Sequence, residues 1–436
     1  MNDFDSPMTM SPDSEDGESR ALCPLESLYL AVRDRIVVTA VVEGDVDKGL
    51  LAWAFTARVA QHAALRCRID TQDGRPVFRP LDPAELPVLT VRPGGFAQAE
   101  EERNTPMPVG GPLVRAVLLS DGRRHLLVLS ADHVICDGRS LYALHADVWE
   151  TYGQLADGGR VTVPPPQPLS PSLSRLLPPS RPEDIDGYRT RLVEQIRRQP
   201  VAMLPYEARP TGSPPATVQA SRVLLQPGVA AALLRRAREA GVSSHSLIGA
   251  ALLLTVRRRL DRDAGPLTLA LSSPVDLRGR LRPTTTADAL VVAVAPHTCL
   301  VTVDRDSDPV ELAQTIGDDL RGFIHRGEHV YQARLLEHLA DHPELMTSTV
   351  LLSSLHAYPA PRLPAGLRLT DLRTVFAFDQ YYPETGRGGL TALVLAFEGH
   401  LAVELAYGPD CFSDEQIEEI RGGLRDTLTT WAEQGL

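Results

Sequence analysis

LLVLSADHVICDGRSLYALHADVWETY, residues Leu126 to Tyr152, decides how the rest of the chain is read. Its apolar opening, Leu126 to Leu129, has the composition of a buried strand, and its closing part carries Leu141, Leu144, Val148 and Tyr152 at helical spacing. The polar turn between them holds Asp132, His133, Asp137 and Gly138, so a histidine stands at the mouth of a strand with a carboxylate and a glycine behind it. Loops on a rigid scaffold are where reacting side chains are usually displayed. Histidine alone has an unperturbed pKa near neutrality, so it can take a proton from a hydroxyl or amine and return it to a leaving group. His133 is therefore the candidate base. Gly138 permits a tight turn or a close approach that a β-carbon would obstruct. Asp137 has two readings at this point: it orients the imidazole directly, or it faces away and pins the loop by pairing with a distant arginine. A purely structural reading of the turn has His133 ending the strand and Asp137 capping the helix.

Working outward, 436 residues suit two lobes of roughly two hundred residues each. A hydrophobic content of 43% supports a folded chain, and a net charge of −12 argues against nucleic-acid binding, which needs a concentrated basic surface. Cys23, Cys67, Cys136, Cys299 and Cys411 are odd in number and contain no C-x-x-C pair, which suggests neither a disulfide framework nor a zinc site. A reduced, cytoplasmic setting fits that usage. No run approaches the roughly 18 to 20 apolar residues of a membrane span, and the N-terminus lacks the basic-then-apolar order of a signal peptide. Residues 1–20, acidic and rich in Ser, Pro and Met, read as a disordered tail.

An N-terminal lobe is expected over residues 21–162. It begins with a strand at Ile36 to Val42, a helix at Leu50 to Ala60 and a strand from Leu65 to Ile69. Leu113 to Leu119 and Arg124 to Ser130 flank Asp121-Gly122, a hairpin dipeptide, so the strand leading to His133 pairs antiparallel with its predecessor and the sheet is mixed. From Val163 to Pro182 proline is too dense for a helix or a central strand, and residues 163–186 are read as the interlobe linker. The C-terminal lobe, 187–436, brings helices near Tyr188 to Arg198, at Gly228 to Ala240 and at Ser246 to Leu260, the last apolar on nearly all sides. Strands are expected at Leu267 to Leu271, Leu290 to Val294, Val350 to Leu352 and Val375 to Phe378, with a hairpin from Leu390 to Tyr407. The last helix is capped by Ser413. Both halves share a strand, helix and hairpin grammar that suits two similar α/β lobes facing across a cleft.

DHVICDG resembles the H-H-x-x-x-D-G motif of condensation-domain acyltransferases, a superfamily that includes chloramphenicol acetyltransferases, nonribosomal peptide condensation domains and polyketide-associated acyltransferases. Within it the chain looks most like the phthiocerol dimycocerosyl transferase type. Gln61 to Ile69 (QHAALRCRI) is similar to the R-H-P-x-L-R segment, Ser272 to Arg280 (SSPVDLRGR) to the second-lobe P-x-x-x-R element, and the run from Leu363 to the family's closing pattern. The resemblance implies two chloramphenicol-acetyltransferase-like lobes in a V-shaped pseudo-dimer, with mixed sheets and a central tunnel holding His133. It also implies that Asp137 pairs with Arg278 across the lobes. Asp132 departs from the pattern, standing where the family often has a first histidine. Ser353 to His356 (SSLH) stands where relatives often have S-N-x-G.

The activity so implied is acyl transfer from a phosphopantetheine thioester, on an acyl or peptidyl carrier protein or on coenzyme A, to a hydroxyl or amine of a small or carrier-bound acceptor. No permanently bound cofactor or metal is expected. The rival is a non-catalytic module of the same fold that recruits carrier proteins or partner enzymes, a reading kept open by Asp132. A carrier is usually acidic, so docking on this acidic chain calls for a local basic patch. Arg235 and Arg236 with Arg257, Arg258 and Arg259 are the candidates, although arginines near a helix C-terminus also complement its dipole. His325 with His329, and His338 with His342, are spaced for a shared helical face, but no H-E-x-x-H or third ligand accompanies them. Ser243, Ser244 and Ser246 around His245 read as a helix cap.

Overall fold

The computed structural model describes residues 19–159, 161, 165–207, 217–260, 265–286, 288–335, 345, 347–355, 361–380 and 389–436. The first part of the chain runs β1 (Arg20–Ala21), α1 (Pro24–Val32), β2 (Arg35–Glu43), α2 (Lys48–Gln61), β3 (Cys67–Gln72), β4 (Arg75–Pro80), β5 (Leu89–Pro93), α3 (Phe96–Asn104), β6 (Val114–Asp121), β7 (Arg124–Asp132) and α4 (Gly138–Ala156). After α5 (Leu173–Leu176) and α6 (Pro182–Arg198) come β8 (Gln219–Leu225), α7 (Pro227–Glu239), α8 (Ser244–Arg259), β9 (Leu267–Asp276), β10 (Val294–Val303), α9 (Pro309–His325) and α10 (Glu328–Leu335). The chain closes with β11 (Val350–Ser354), β12 (Arg368–Ala377), β13 (Thr391–Phe397), β14 (His400–Tyr407) and α11 (Asp414–Gln434).

Two mixed sheets carry the fold. One has the order β12-β2-β7-β6-β5, antiparallel except for the β5–β6 pair. The other has the order β10-β9-β11-β13-β14-β8, with β9, β11 and β13 mutually parallel. β1, β4 and β3 form a small third sheet. Helices α2 and α4 close one face of the first sheet over Ile36, Val38, Phe55, Leu127, Leu141 and Trp149. The opposite face, with Val37, Val41 and Val375, packs on Leu393 and Ala406 of the second sheet. β2 is thus buried on both faces, which explains the nearly unbroken apolar run IVVTAVV. The protein is therefore a two-lobed α/β structure with mixed sheets. Among the described residues no single helix is long and apolar enough to cross a membrane.

Local chemistry sets the turns. The β6–β7 hairpin turns on Gly122 and Arg123, with Gly122 at φ 62° in the first central position, the signature of a type II′ turn. Glu398 and Gly399 both have positive φ between β13 and β14, as a type I′ turn requires. Helix α8 is buried from Ser246 to Arg257, in line with its all-round apolar sequence.

Several segments differ from the sequence expectation. Residues 1–18 of the expected tail lie outside the described residues, and Arg20 pairs with Phe78 in β1. Within the proline-dense stretch Leu173–Leu176 makes one helical turn, and α6 starts at Pro182, a first-turn position where the missing N–H costs nothing. Ala63–Arg66 is a 3-10 turn, so the strand begins at Cys67 rather than Leu65. The apolar run from Leu290 to Ala293 is not a strand. Its Ala289 and Val291 carbonyls accept from Ser140 and its Ala293 N–H donates to Asp137, so these polar groups are taken by the neighbouring lobe. β12, within the stretch read as C-terminal lobe, is an edge strand of the first sheet and pairs with β2. Arg222 of β8 grips Asp371 of β12 at 2.7 and 2.8 Å, tying the two sheets together.

Candidate active site

The end of β7 delivers Asp132 opposite Arg35 of β2, and the main chain then leaves the sheet. Three hydrogen bonds shape the turn: the His133 N–H donates to the Asp34 carbonyl at 2.9 Å, the Asp132 N–H to the Leu113 carbonyl at 2.8 Å, and the Val134 N–H to Asp132 Oδ1 at 3.0 Å. Asp132 so closes a local side-chain-to-backbone turn on its own loop, a task a carboxylate or a carboxamide oxygen performs well.

His133 is 6% exposed. Its imidazole lies flat on the Tyr29 ring, with centroids 4.0 Å apart and planes 2° from parallel, and Phe376 of β12 approaches at 5.8 Å. Nδ1 is buried with no hydrogen-bond partner among the described residues, so stacking, rather than a carboxylate, sets the ring's orientation. Burial disfavours the imidazolium and pushes the His133 pKa down to about 4, with the loop's own backbone at His133 and Cys136 and the Asp137 charge only partly offsetting it. The ring is neutral at physiological pH, as a base must be.

Of the two readings of Asp137, the geometry gives the second. Its carboxylate accepts from Arg278 Nη1 at 2.8 Å and Nη2 at 2.9 Å, from the Ser140 N–H at 3.0 Å and from the Ala293 N–H at 3.1 Å. Asp137 is thus at once the N-cap of α4 and half of a bidentate ion pair joining α4 to the turn after β9. Burial alone would raise its pKa, but the Arg278 charge and these hydrogen bonds outweigh burial and hold it below the usual carboxylate range. Arg278 also donates to Ser140 Oγ at 2.6 Å and to Asp276 Oδ1 at 3.1 Å. Gly138 does not use a left-handed conformation. A β-carbon there would sit 3.2 Å from Cδ1 of Leu355, so glycine lets the residue after β11 lie against the His133 loop.

Two residues beside His133 carried no motif. Tyr29 belongs to α1. Asp34 has a buried Oδ1 without a hydrogen-bond partner among the described residues. Burial, with the Asp132 charge, pushes its pKa up to about 8, and burial raises Asp132 to about 7. Both carboxyls bind protons more tightly folded than unfolded, so they weaken the fold as pH rises from about 3.8 toward 7 and 8. Buried His62, His133 and His145, each pushed down to about 4, act in the opposite sense only up to their ordinary 6.5. The interval from pH 6.5 to 8 therefore belongs to the carboxyls. The melting temperature is expected to fall by a few degrees across it, and Asp34→Asn should flatten that slope; a flat or rising wild-type profile over the same interval would contradict the assignment.

Of the arginines put forward for docking, Arg257 needs correction. Arg257 is fully buried and donates to the Val303 and Gly265 carbonyls, so it offers no surface. Arg259 is matched by Glu207 and Glu419, Arg258 donates to Thr427 Oγ1, and Arg235 and Arg236 both pair with Glu239. Arg235 and Arg236 thus share one carboxylate, and Arg259 lies between two. His325 ends α9 exposed, whereas buried His329 lies on α10 beyond Gly327, so they share no face. His338, His342 and His356 lie outside the described residues. Among the described residues no cluster suited to a metal ion occurs.

Comparison with known proteins agrees with this architecture. The condensation-domain model matches residues 35–263, and that for the phthiocerol/phthiodiolone dimycocerosyl transferase C-terminus matches 214–406. Tyrocidine synthase 2 of Brevibacillus parabrevis is 31% identical over 26% of this chain, and the antimetabolite synthetase AmbE of Pseudomonas aeruginosa is 34% identical over 28%. The matches span only 3% and 6% of those synthetases' own lengths. Polyketide synthase associated protein 5 from Mycobacterium tuberculosis superposes with a TM-score of 0.75 at 19% identity, over 95% of this chain and 98% of that one. The first condensation domain of the calcium-dependent antibiotic synthetase does so with a TM-score of 0.70 at 17% identity, over 95% and 96%. Because the condensation-domain match covers more than half of the residues and the two-lobed fold accompanies it, the chain belongs to the condensation-domain family.

Proposed function

We propose that the chain is an acyltransferase that moves an acyl group from a phosphopantetheine thioester, on a carrier protein or coenzyme A, to a hydroxyl or amine acceptor in natural-product or lipid assembly. The observation that carries this reading is the neutral His133 imidazole, held by stacking at the end of β7. His133 takes the acceptor's proton as the acceptor attacks the thioester carbonyl. The C–S bond then breaks, and the proton passes from the imidazolium to the departing thiolate. Asp137 and Arg278 hold the loop and the second lobe in register and take no part in the proton transfer. The names of the relatives, peptide synthetases and a polyketide-associated protein, support the biosynthetic setting.

The test supplies the purified protein with acyl-pantetheine, acyl coenzyme A and acyl-loaded carrier protein, each with a panel of alcohols and amines. Thiol release and the product's intact mass are followed. Acceptor-dependent thiol release is the expected result. Carrier binding without transfer to any acceptor would overturn the reading and favour the recruiting module.

A further inference from the structure

Away from the His133 loop, one imidazole is held at both nitrogens by serines. His245 Nδ1 lies 2.8 Å from Ser354 Oγ, and its Nε2 lies 3.0 Å from Ser273 Oγ. The three residues come from three elements: His245 from the first turn of α8, Ser273 from β9 and Ser354 from the carboxyl end of β11, the parallel neighbour of β9. Crevices outside the carboxyl ends of parallel strands are where open α/β sheets bind ligands. A neutral imidazole has one N–H and one lone pair, so one serine must donate into the ring while the other accepts from it. Ser273 is 4% exposed, whereas Ser354 is only partly buried and is the more accessible of the two hydroxyls. For His245 to serve Ser354 as a base, Nε2–H donates to Ser273 and Nδ1 accepts the Ser354 hydroxyl proton, an arrangement that both distances permit. Leu355, the next residue, packs toward Gly138, the residue that begins α4 behind the His133 loop.

We propose that Ser354 is a second reactive centre, a nucleophile that accepts acyl groups from activated esters and thioesters, with His245 as its base and Ser273 as the residue that positions the base. Nucleophile, base and orienting group stand within the reach that activated serines require. Ser354 Oγ attacks the carbonyl carbon and its proton passes to His245 Nδ1. The C–S bond of the thioester breaks, the thiolate leaves with that proton, and an acyl-serine ester remains for water or the acceptor to discharge. The proposal does not depend on the role of His133.

The experiment treats the full-length protein with a fluorophosphonate, which serine nucleophiles attack at phosphorus with loss of fluoride, and follows intact mass and peptide mapping over time. One adduct on Ser354 is expected. Ser354→Ala should abolish it, and His245→Ala should slow it by about 10²- to 10⁴-fold, the usual contribution of a positioned base. Ser273→Ala should slow it less, with Ser273→Thr restoring the rate. Thermal melts of each variant separate lost reactivity from lost fold. His133→Ala should still be labelled, so failure of the transfer reading and failure of this one are told apart. An unlabelled wild type, an adduct that survives Ser354→Ala, or a His245→Ala variant that is folded and labels at the wild-type rate would each overturn the proposal.

Discussion

His133→Ala is expected to lower kcat/KM for acyl transfer by about 10²- to 10⁴-fold, the share a positioned general base commonly contributes. The pH profile gives the sharper signature. A base works deprotonated, and burial has pushed the His133 pKa down to about 4 from an ordinary 6.5. Activity limited by this group should therefore stay level from neutrality down to about pH 5 and fall only as pH approaches 4. An exposed histidine would start to lose activity near 6.5. The profile is measured as initial rates at subsaturating donor, with parallel melts to mark where the fold itself fails. A variant within tenfold of wild type, or an acid limb centred near 6.5, would show that this buried imidazole is not the base.

The second large effect concerns the ion pair across the lobes. Asp137 and Arg278 are 3% and 4% exposed at their side chains, so removing Arg278 leaves a buried carboxylate without its counter-charge, a loss of about 3–5 kcal/mol, whereas removing Asp137 leaves Arg278 with Asp276 as its remaining partner. Asp137→Ala also strips the cap from the Ser140 N–H and the acceptor from the Ala293 N–H, which adds to its cost. The double variant is expected to be no less stable than Asp137→Ala alone, since each single change already forfeits the pair. Denaturant titration of the four proteins measures the coupling. Strictly additive losses would mean that the two residues act independently. Transfer activity should fall along with stability, because the pair fixes where the second lobe stands relative to His133.

The strand, loop and helix around His133 were legible because three signals agree there: an apolar run, a turn composition and a helical repeat. The hairpins were legible for the same reason, since Gly122 and Gly399 sit where positive φ is required. Asp137 could not be resolved from spacing alone. Whether a carboxylate four residues past a histidine turns inward or outward depends on Arg278, which is 141 positions away. Leu290 to Ala293 read as a strand because apolar β-formers look alike whether or not they join a ladder. The arginines misled for a related reason. Charge is visible in sequence, but the carbonyls of Val303 and Gly265 that bury Arg257 are not. Tyr29 and His245 had no motif to announce them, because a stacking ring or a bridging imidazole is defined by partners on distant elements.

The exchanged strand β12 bears on how the molecule is made. β2 lies between β12 and β7, so the first sheet lacks its outermost strand until residues 368–377 are available. A ribosome must deliver most of the 436 residues before that edge is covered. Until then the backbone of IVVTAVV is an unpaired apolar edge, the kind of surface that recruits other strands and aggregates. The amino-terminal half expressed alone should accordingly be insoluble, and adding the segment around 368–377 as a separate peptide should rescue it more effectively than a scrambled peptide of the same composition. In this chain the two lobes are not independent pieces, because the first sheet is finished by a strand that arrives with the second.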